Sequence, residues 1–396
     1  MTRPDAAGFH LASPFQPSRL MDGIDQAISI RYNNLVYDLR STGHDIITLS
    51  LGEAFFDVEV PDFTGFSPDT LNHYSHSRGL PELRRRLAKY YTDDVGVPVE
   101  ADHELLITAG SKAAIYMSLL ALLEPGDEVI IPEPFWLSYP AQVRLCRGVP
   151  VLVPHQVSVY DLECYVTART RVLVINNPNN PSGRVYTTDE LEFLHDLAER
   201  RGLMLLSDEA YNEFVAPDTR FVAAGVGDPA MNHTITVNSM SKNYGMSGWR
   251  IGYVVAHRRL LDQVLKINQH LVTCAPTILC CYLAEYFDDL IEHTRPQIQR
   301  VVGTRAEVAG HLAVAGIDTL PGSATFYLFA SIEPSALSSD QFATRLLRES
   351  GVCVVPGIAY GESCDRFIRI SVGTESMERV LAGISAIRRL IDRTSG

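Results

Sequence analysis

Lysine is scarce in this 396-residue chain, which has only Lys89, Lys112, Lys242 and Lys266 among 34 basic residues. Chemistry that needs a primary amine therefore has few candidates. Long apolar runs are missing too. The longest, around Tyr116 to Leu123, is far short of the roughly 18 residues a membrane helix needs. Met1 to His10 lacks the apolar stretch of a secretory signal, so a cytoplasmic protein with no membrane partner is expected. There is no cationic excess: 34 basic against 47 acidic residues give a net charge of −13. An acidic surface argues against nucleic acid as a partner, because phosphate binding demands clustered cations. The seven cysteines are odd in number and form no C-x-x-C pair. That pattern fits reduced, buried thiols rather than a disulfide framework or a zinc site, and no metal centre is expected.

The composition that remains is that of a globular protein, 46% hydrophobic and 20% charged, too long for one ordinary core. From Glu104 the pattern alternates strand and helix. Short apolar runs at Glu104–Thr108, Glu128–Ile131, Val151–Val153, Val172–Ile175, Met204–Leu206, Thr234–Val237 and Ile251–Val255 are separated by helical stretches such as Thr188–Arg201 and Arg258–Leu271. This is the signature of an α/β fold, a mostly parallel sheet sandwiched by helices. Beyond Ala275 the pattern changes to amphipathic stretches (Leu279–Leu290, Pro296–Ala315), isolated strands (Phe326–Ala330, Val352–Val355, Phe367–Ile370) and a last helix, Ser376–Arg393. The expected division is a large domain over 48–275 and a smaller α+β domain built from 1–47 and 276–396.

Ligands of open α/β sheets sit beyond the C-terminal ends of the strands, and four such ends carry chemistry. Ala109-Gly110-Ser111-Lys112 opens a helix, with Ser111 as the expected N-cap, and its free N–H groups suit an anion or simply cap the helix. Asn176-Asn177-Pro178-Asn179-Asn180-Pro181-Ser182-Gly183 is a fixed turn that crowds amides at a strand end. Ser207-Asp208-Glu209-Ala210-Tyr211 places a carboxylate where burial is costly without a cation, or where it caps the next helix. Asn238 to Tyr253 sets Lys242 among small hydroxyl residues and glycines, with Arg250 eight positions on. A lysine near another cation in a dehydrated site has a lowered pKa and can form a Schiff base. Jointly these ends offer what pyridoxal 5′-phosphate requires: an anion cradle, an amine, and a carboxylate for its ring nitrogen.

The motifs S-x-S-K-N-Y-G-M-S-G-W-R-I-G-Y, N-N-P-N-N-P-S-G and S-D-E-A-Y resemble those of the fold-type I, class I/II aminotransferases, the aspartate aminotransferase family, and the resemblance runs from about Pro17 onward. It implies that 48–275 binds pyridoxal phosphate, with Lys242 as the Schiff-base lysine and proton shuttle. It implies Asp208 on the pyridinium nitrogen, Tyr211 and Asn180 on the cofactor's phenolic oxygen, and Trp136 stacked on the ring. Gly110, Ser111, Lys112, Ser239 and Arg250 would hold the phosphate. Tyr74 would reach the phosphate of the neighbouring subunit, which implies a homodimer. Arg369 would grip the substrate α-carboxylate, with Gly52, Asn180 and Trp136 lining the substrate site.

The activity implied is amino transfer from a 2-amino acid to a 2-oxo acid by a ping-pong mechanism. A carbon–sulfur lyase, a decarboxylase or a related amino-acid lyase on the same scaffold is the alternative. After Gly52-Glu53 the chain reads Ala54-Phe55-Phe56-Asp57 where many relatives read Pro-Asp-Phe, so substrate preference can differ. Arg19, Arg31 and Arg78 are conceivable contacts for a substrate side chain.

Overall fold

The computed structural model describes residues 16–59 and 61–395. Residues 1–15, part of the expected small-domain portion 1–47 and the site of the leader reading, lie outside the described residues. The centre is a seven-stranded sheet of β1 (Leu105–Thr108), β2 (Glu128–Pro132), β3 (Val149–Val153), β4 (Thr170–Asn176), β5 (Met204–Asp208), β6 (Thr234–Ser239) and β7 (Gly252–Ala256). Their spatial order is β1-β7-β6-β5-β4-β2-β3. All pairs are parallel except those of β7, which runs antiparallel to both β1 and β6.

These strands are apolar on both faces because both faces are covered. Val172 and Val174 of β4 join a cluster with Ile115, Leu119, Leu261 and Val264, whereas the alternate Leu173 and Ile175 meet Leu191, Leu194 and Leu197. The first face is closed by helices Ser111–Leu122 and Arg258–Leu271, the second by Thr188–Arg201. The last of these starts on a capping box of Thr187 and Glu190 and stops at Gly202 in the left-handed region (φ 64°), which fixes its length.

A three-stranded antiparallel sheet follows, made of β8 (Tyr327–Ser331), β9 (Val355–Pro356) and β10 (Phe367–Ser371), with β10 central. It packs in a cluster with Tyr32 and Val36 of helix Ile28–Ser41, Phe342 and Leu346 of helix Ser339–Ser350, and Ile384 and Ile387 of helix Met377–Thr394; the cluster also includes Tyr211 and Phe214.

Three local expectations need correction. The single strand Val352–Val355 is two: Val352–Cys353 pairs in parallel with Ile47–Thr48, and Val355–Pro356 belongs to the antiparallel sheet. Leu279–Leu290 and Pro296–Ala315 belong to one element, Thr277–Val314 with Ala315 as its C-cap, which bends at Tyr286 (φ −105°, ψ 17°) and carries Pro296 inside it. The N-cap before Lys112 is Gly110 (φ 85°), not Ser111, because only glycine takes that backbone at no steric cost.

Candidate active site

Strand register brings the candidate groups together. Asn176, last in β4, is paired with Asp208, last in β5, and Asp208 is paired with Val237 of β6. The chain then turns at Ser239 into the one-turn helix Met240–Asn243 that carries Lys242. Beyond these ends lies a cavity of about 440 Å³ lined by Gly52, Ser111, Lys112, Trp136, Asn180, Asp208, Tyr211, Ser239, Lys242, Arg250 and Arg369, all expected from the sequence.

Lys242 Nζ donates to the Gly52 carbonyl at 2.5 Å. Burial pulls its pKa down to about 8; Arg369 and Arg250 push the same way, and Glu53 and Asp208 oppose them. Asp208 accepts from the Tyr139 hydroxyl at 2.7 Å and from the Ala210 N–H at 3.3 Å. Burial still lifts its pKa to about 6, against the lowering effects of Tyr139, Ala210 and Lys242. Two carboxyl and amine groups displaced toward neutrality in one cavity mark a site built for proton transfer.

Arg369 sits on central strand β10 and is 3% exposed. Its Nη1 donates to Asn180 Oδ1 at 3.2 Å and its Nη2 to the Ser50 carbonyl at 2.6 Å, while Nε has no partner among the described residues. A buried guanidinium whose bonds go to neutral oxygens is fit to take a carboxylate. Asn180 also donates from Nδ2 to the Tyr211 hydroxyl at 3.4 Å.

The cationic end is formed by Lys112 and Arg250. Arg250, at φ 58°, donates to the Ser247 carbonyl at 2.5 Å and to Ser241 Oγ at 3.4 Å. A Cβ added to Gly110 would lie 2.5 Å from Arg250 Nη2, so glycine is what lets the guanidinium lie against the helix start. Lys112 Nζ stands 5.1 Å from the Trp136 ring centroid, and burial, aided by Arg250, lowers its pKa. The free N–H groups at the start of helix Ser111–Leu122 add to an anion-attracting end.

Other expected residues fall elsewhere. Tyr74 is 85% exposed and is not among the cavity residues of its own chain. Ser239 lines the cavity, but its hydroxyl accepts from the Ser241 N–H at 3.0 Å and donates to the Ile251 carbonyl at 3.4 Å. Arg31 pairs with Asp340 at 2.8 Å and Arg78 with Asp262 at 2.7 Å; neither they nor Arg19 line the cavity. Sequence reasoning missed Tyr139, Ser241, Glu53 and Tyr327. Ser241 was within reach, as the hydroxyl next to Lys242 in S-x-S-K.

The family model for aminotransferase class I and II matches residues 62–384. The chain is 33% identical over 87% of its length to the aromatic-amino-acid aminotransferase 2 of Thermococcus litoralis, covering 93% of that protein. It is 34% identical over 90% of its length to a probable aspartate/prephenate aminotransferase of Aquifex aeolicus, again covering 93% of it. The structure superposes on the aspartate aminotransferase of Thermus thermophilus with maleate at a TM-score of 0.85 and 29% identity, covering 95% of this chain and 100% of that one.

Proposed function

Because this chain belongs to the class I and II aminotransferases, pyridoxal-phosphate enzymes that move an amino group from a 2-amino acid to a 2-oxo acid, we propose a division of labour among its cavity residues. The residues fit the cofactor. Lys242 supplies a buried amine of lowered basicity. Asp208 is a buried carboxylate with donors but no bonded cation among the described residues, and so suits a protonated ring nitrogen. Ser111, Lys112, Ser241 and Arg250 gather donors and positive charge at the far end for a phosphate. When bound, the cofactor supplies an electron sink for the pair released at the substrate Cα.

Each side chain then has a task. Arg369 holds the substrate α-carboxylate, its Nε and Nη groups meeting two carboxylate oxygens. That orients the Cα–H bond for Lys242, which as a neutral amine would take the proton from Cα and hold it on Nζ, ready to be returned. Asp208 would keep the ring nitrogen protonated, Tyr211 and Asn180 would donate to the ring's oxygen, and Trp136 would pack against the ring. The single observation that carries this reading is the convergence of Lys242, Asp208, Tyr211 and Arg369 on one cavity.

We also propose, from the family likeness and the exposure of Tyr74, a homodimer in which Tyr74 serves the neighbouring site. That the N-terminal segment joins 276–396 in one small domain is supported by the pairing of Ile47 with Val352, and the same ladder pairs Thr48, on the large-domain side of that boundary, with Cys353. A cytoplasmic location is supported by seven cysteines that are all free thiols. Among the described residues no helix is long and apolar enough to cross a membrane.

The test is the visible spectrum of the purified holoenzyme with single amino acids, beginning with the aspartate and aromatic donors named for the relatives. The cofactor band is expected to disappear with a donor and return with a 2-oxo acid. Release of ammonia, thiol or carbon dioxide without an acceptor would instead assign the site to lyase or decarboxylase chemistry. Lys242→Ala is expected to lose at least about 10³-fold in turnover, the scale of a lost general base and nucleophile, and near-normal turnover would remove Lys242 from its role.

A further inference from the structure

Tyr327, the first residue of β8, is a cavity side chain that touches both ends of the proposed machinery and has no part in it so far. It is fully buried and lines the cavity. Its hydroxyl is 3.0 Å from the Tyr211 hydroxyl, on the cofactor side. Its ring lies under the Arg369 guanidinium, with Cζ 4.4 Å from the ring centroid, on the substrate side. The position is set by the sheet, since Tyr327 pairs with Ser371 two residues beyond Arg369 on β10. The Tyr327 N–H is also bonded to Thr325 Oγ1 at 3.1 Å.

Either hydroxyl can donate to the other, and the part proposed for Tyr211 chooses between the two directions. Burial raises both phenols above their usual range, so each keeps one proton. The Tyr211 oxygen already accepts from Asn180 Nδ2 at 3.4 Å. If Tyr211 donated to Tyr327, it would have nothing to donate into the cavity. With Tyr327 as donor, the Tyr211 oxygen accepts twice and its own proton is free to point at a ligand oxygen, as a stronger donor. The ring has a separate task. Arg369 has no carboxylate partner among the described residues, and the face of Tyr327 holds its plane through a desolvated cation–π contact.

We propose that Tyr327 is a positioning residue of this reaction: its hydroxyl aims the Tyr211 proton at the cofactor, and its ring fixes the Arg369 fork for the substrate carboxylate. The inference rests on the functional reading above. It separates into two variants, because Tyr327→Phe removes only the hydroxyl and Tyr327→Leu removes the ring as well.

Two measurements on the holoenzyme decide it: a pH titration of the visible cofactor band, and the KM for an amino donor beside kcat. The anionic ring oxygen loses support when Tyr211 donates less strongly. The band's pH midpoint is therefore expected to move upward by about half a unit or more in Tyr327→Phe, with KM within about twofold of wild type. Tyr327→Leu is expected to raise KM by about tenfold or more as the fork loosens, with the same upward midpoint. A Phe variant whose midpoint stays at the wild-type value overturns the hydroxyl role, and a Leu variant with unchanged KM overturns the ring role. A fall in kcat alone, with both readouts unmoved in both variants, is what a merely structural tyrosine gives, and it overturns the proposal. Wild-type protein that shows no cofactor band would instead overturn the functional reading on which it rests.

Discussion

Lys242 is held as a weak base by its surroundings, and that has a kinetic consequence. Removal from water disfavours the ammonium form, and Arg369 and Arg250 add repulsion that Glu53 and Asp208 only partly offset, leaving a pKa of about 8. In the role proposed for Lys242, the neutral amine would be the nucleophile toward the cofactor's aldehyde. Because the folded pKa is depressed, the neutral fraction rises with pH below about 8 and saturates above it. The rate of cofactor capture by apoenzyme, followed by stopped-flow absorbance, should therefore climb about tenfold per unit up to about pH 8 and then level. A rate still climbing tenfold per unit toward pH 10, the range of an ordinary lysine, would mean the amine is not depressed. Lys242 was also identifiable from the sequence alone, because a lysine amid Ser239, Ser241, Gly245 and Gly248 does not sit in the setting of a solvated surface lysine. Tyr139 and Tyr327 were not. Tyr139 meets Asp208 across 69 positions, and Tyr327 stands inside the apolar run Phe326–Ala330, where a tyrosine reads as core. Their hydroxyls gain meaning only from partners that the fold supplies.

At the scale of elements, the pattern of alternating strands and helices was readable because a fully buried parallel strand must be a short apolar run and a covering helix must be amphipathic. Helices Thr188–Arg201 and Arg258–Leu271 fall where their patterns placed them. What could not be read was a change of partner within one run. Val352–Val355 is uniformly apolar, yet Val352–Cys353 and Val355–Pro356 pair with different strands, and burial on every side erases the alternation that would have shown it. The cationic end of the cavity depends on an equally hidden contact. Strand β7 passes so close to the start of helix Ser111–Leu122 that a Cβ on Gly252 would lie 2.3 Å from the Ser111 nitrogen and 2.6 Å from the Gly110 carbonyl carbon. These are backbone atoms that cannot swing aside. Gly252→Ala should push the helix start out of place, at the roughly 1–3 kcal/mol typical of overpacking. Equilibrium dialysis should show cofactor affinity lower by about tenfold, which corresponds to 1.4 kcal/mol, with a reduced melting temperature. Unchanged affinity together with a lower melting temperature would separate this contact from phosphate binding.

At the scale of the whole molecule, the site as one chain builds it leaves Tyr74 out. The family resemblance implies that Tyr74 contacts a cofactor phosphate, yet Tyr74 is 85% exposed and stands apart from its own cavity. The proposed two-fold dimer would reconcile these, since each chain would present its Tyr74 to the other's site. The arrangement predicts complementation between two defective variants. Tyr74→Phe leaves Lys242 intact but lends its partner a crippled contact, and Lys242→Ala is dead in its own cavity but lends an intact Tyr74. Subunits dissociated, mixed in equal amounts and reassociated should give hybrids in half the dimers. In each hybrid the cavity that keeps Lys242 receives the intact Tyr74 of the other chain, so one site is fully restored. The mixture should then recover about a quarter of wild-type activity, plus about a quarter of whatever Tyr74→Phe retains. If Tyr74 acts within its own chain, every cavity in the mixture has either no lysine or no tyrosine hydroxyl. Activity then equals the average of the two variants, and the shared site is disproved.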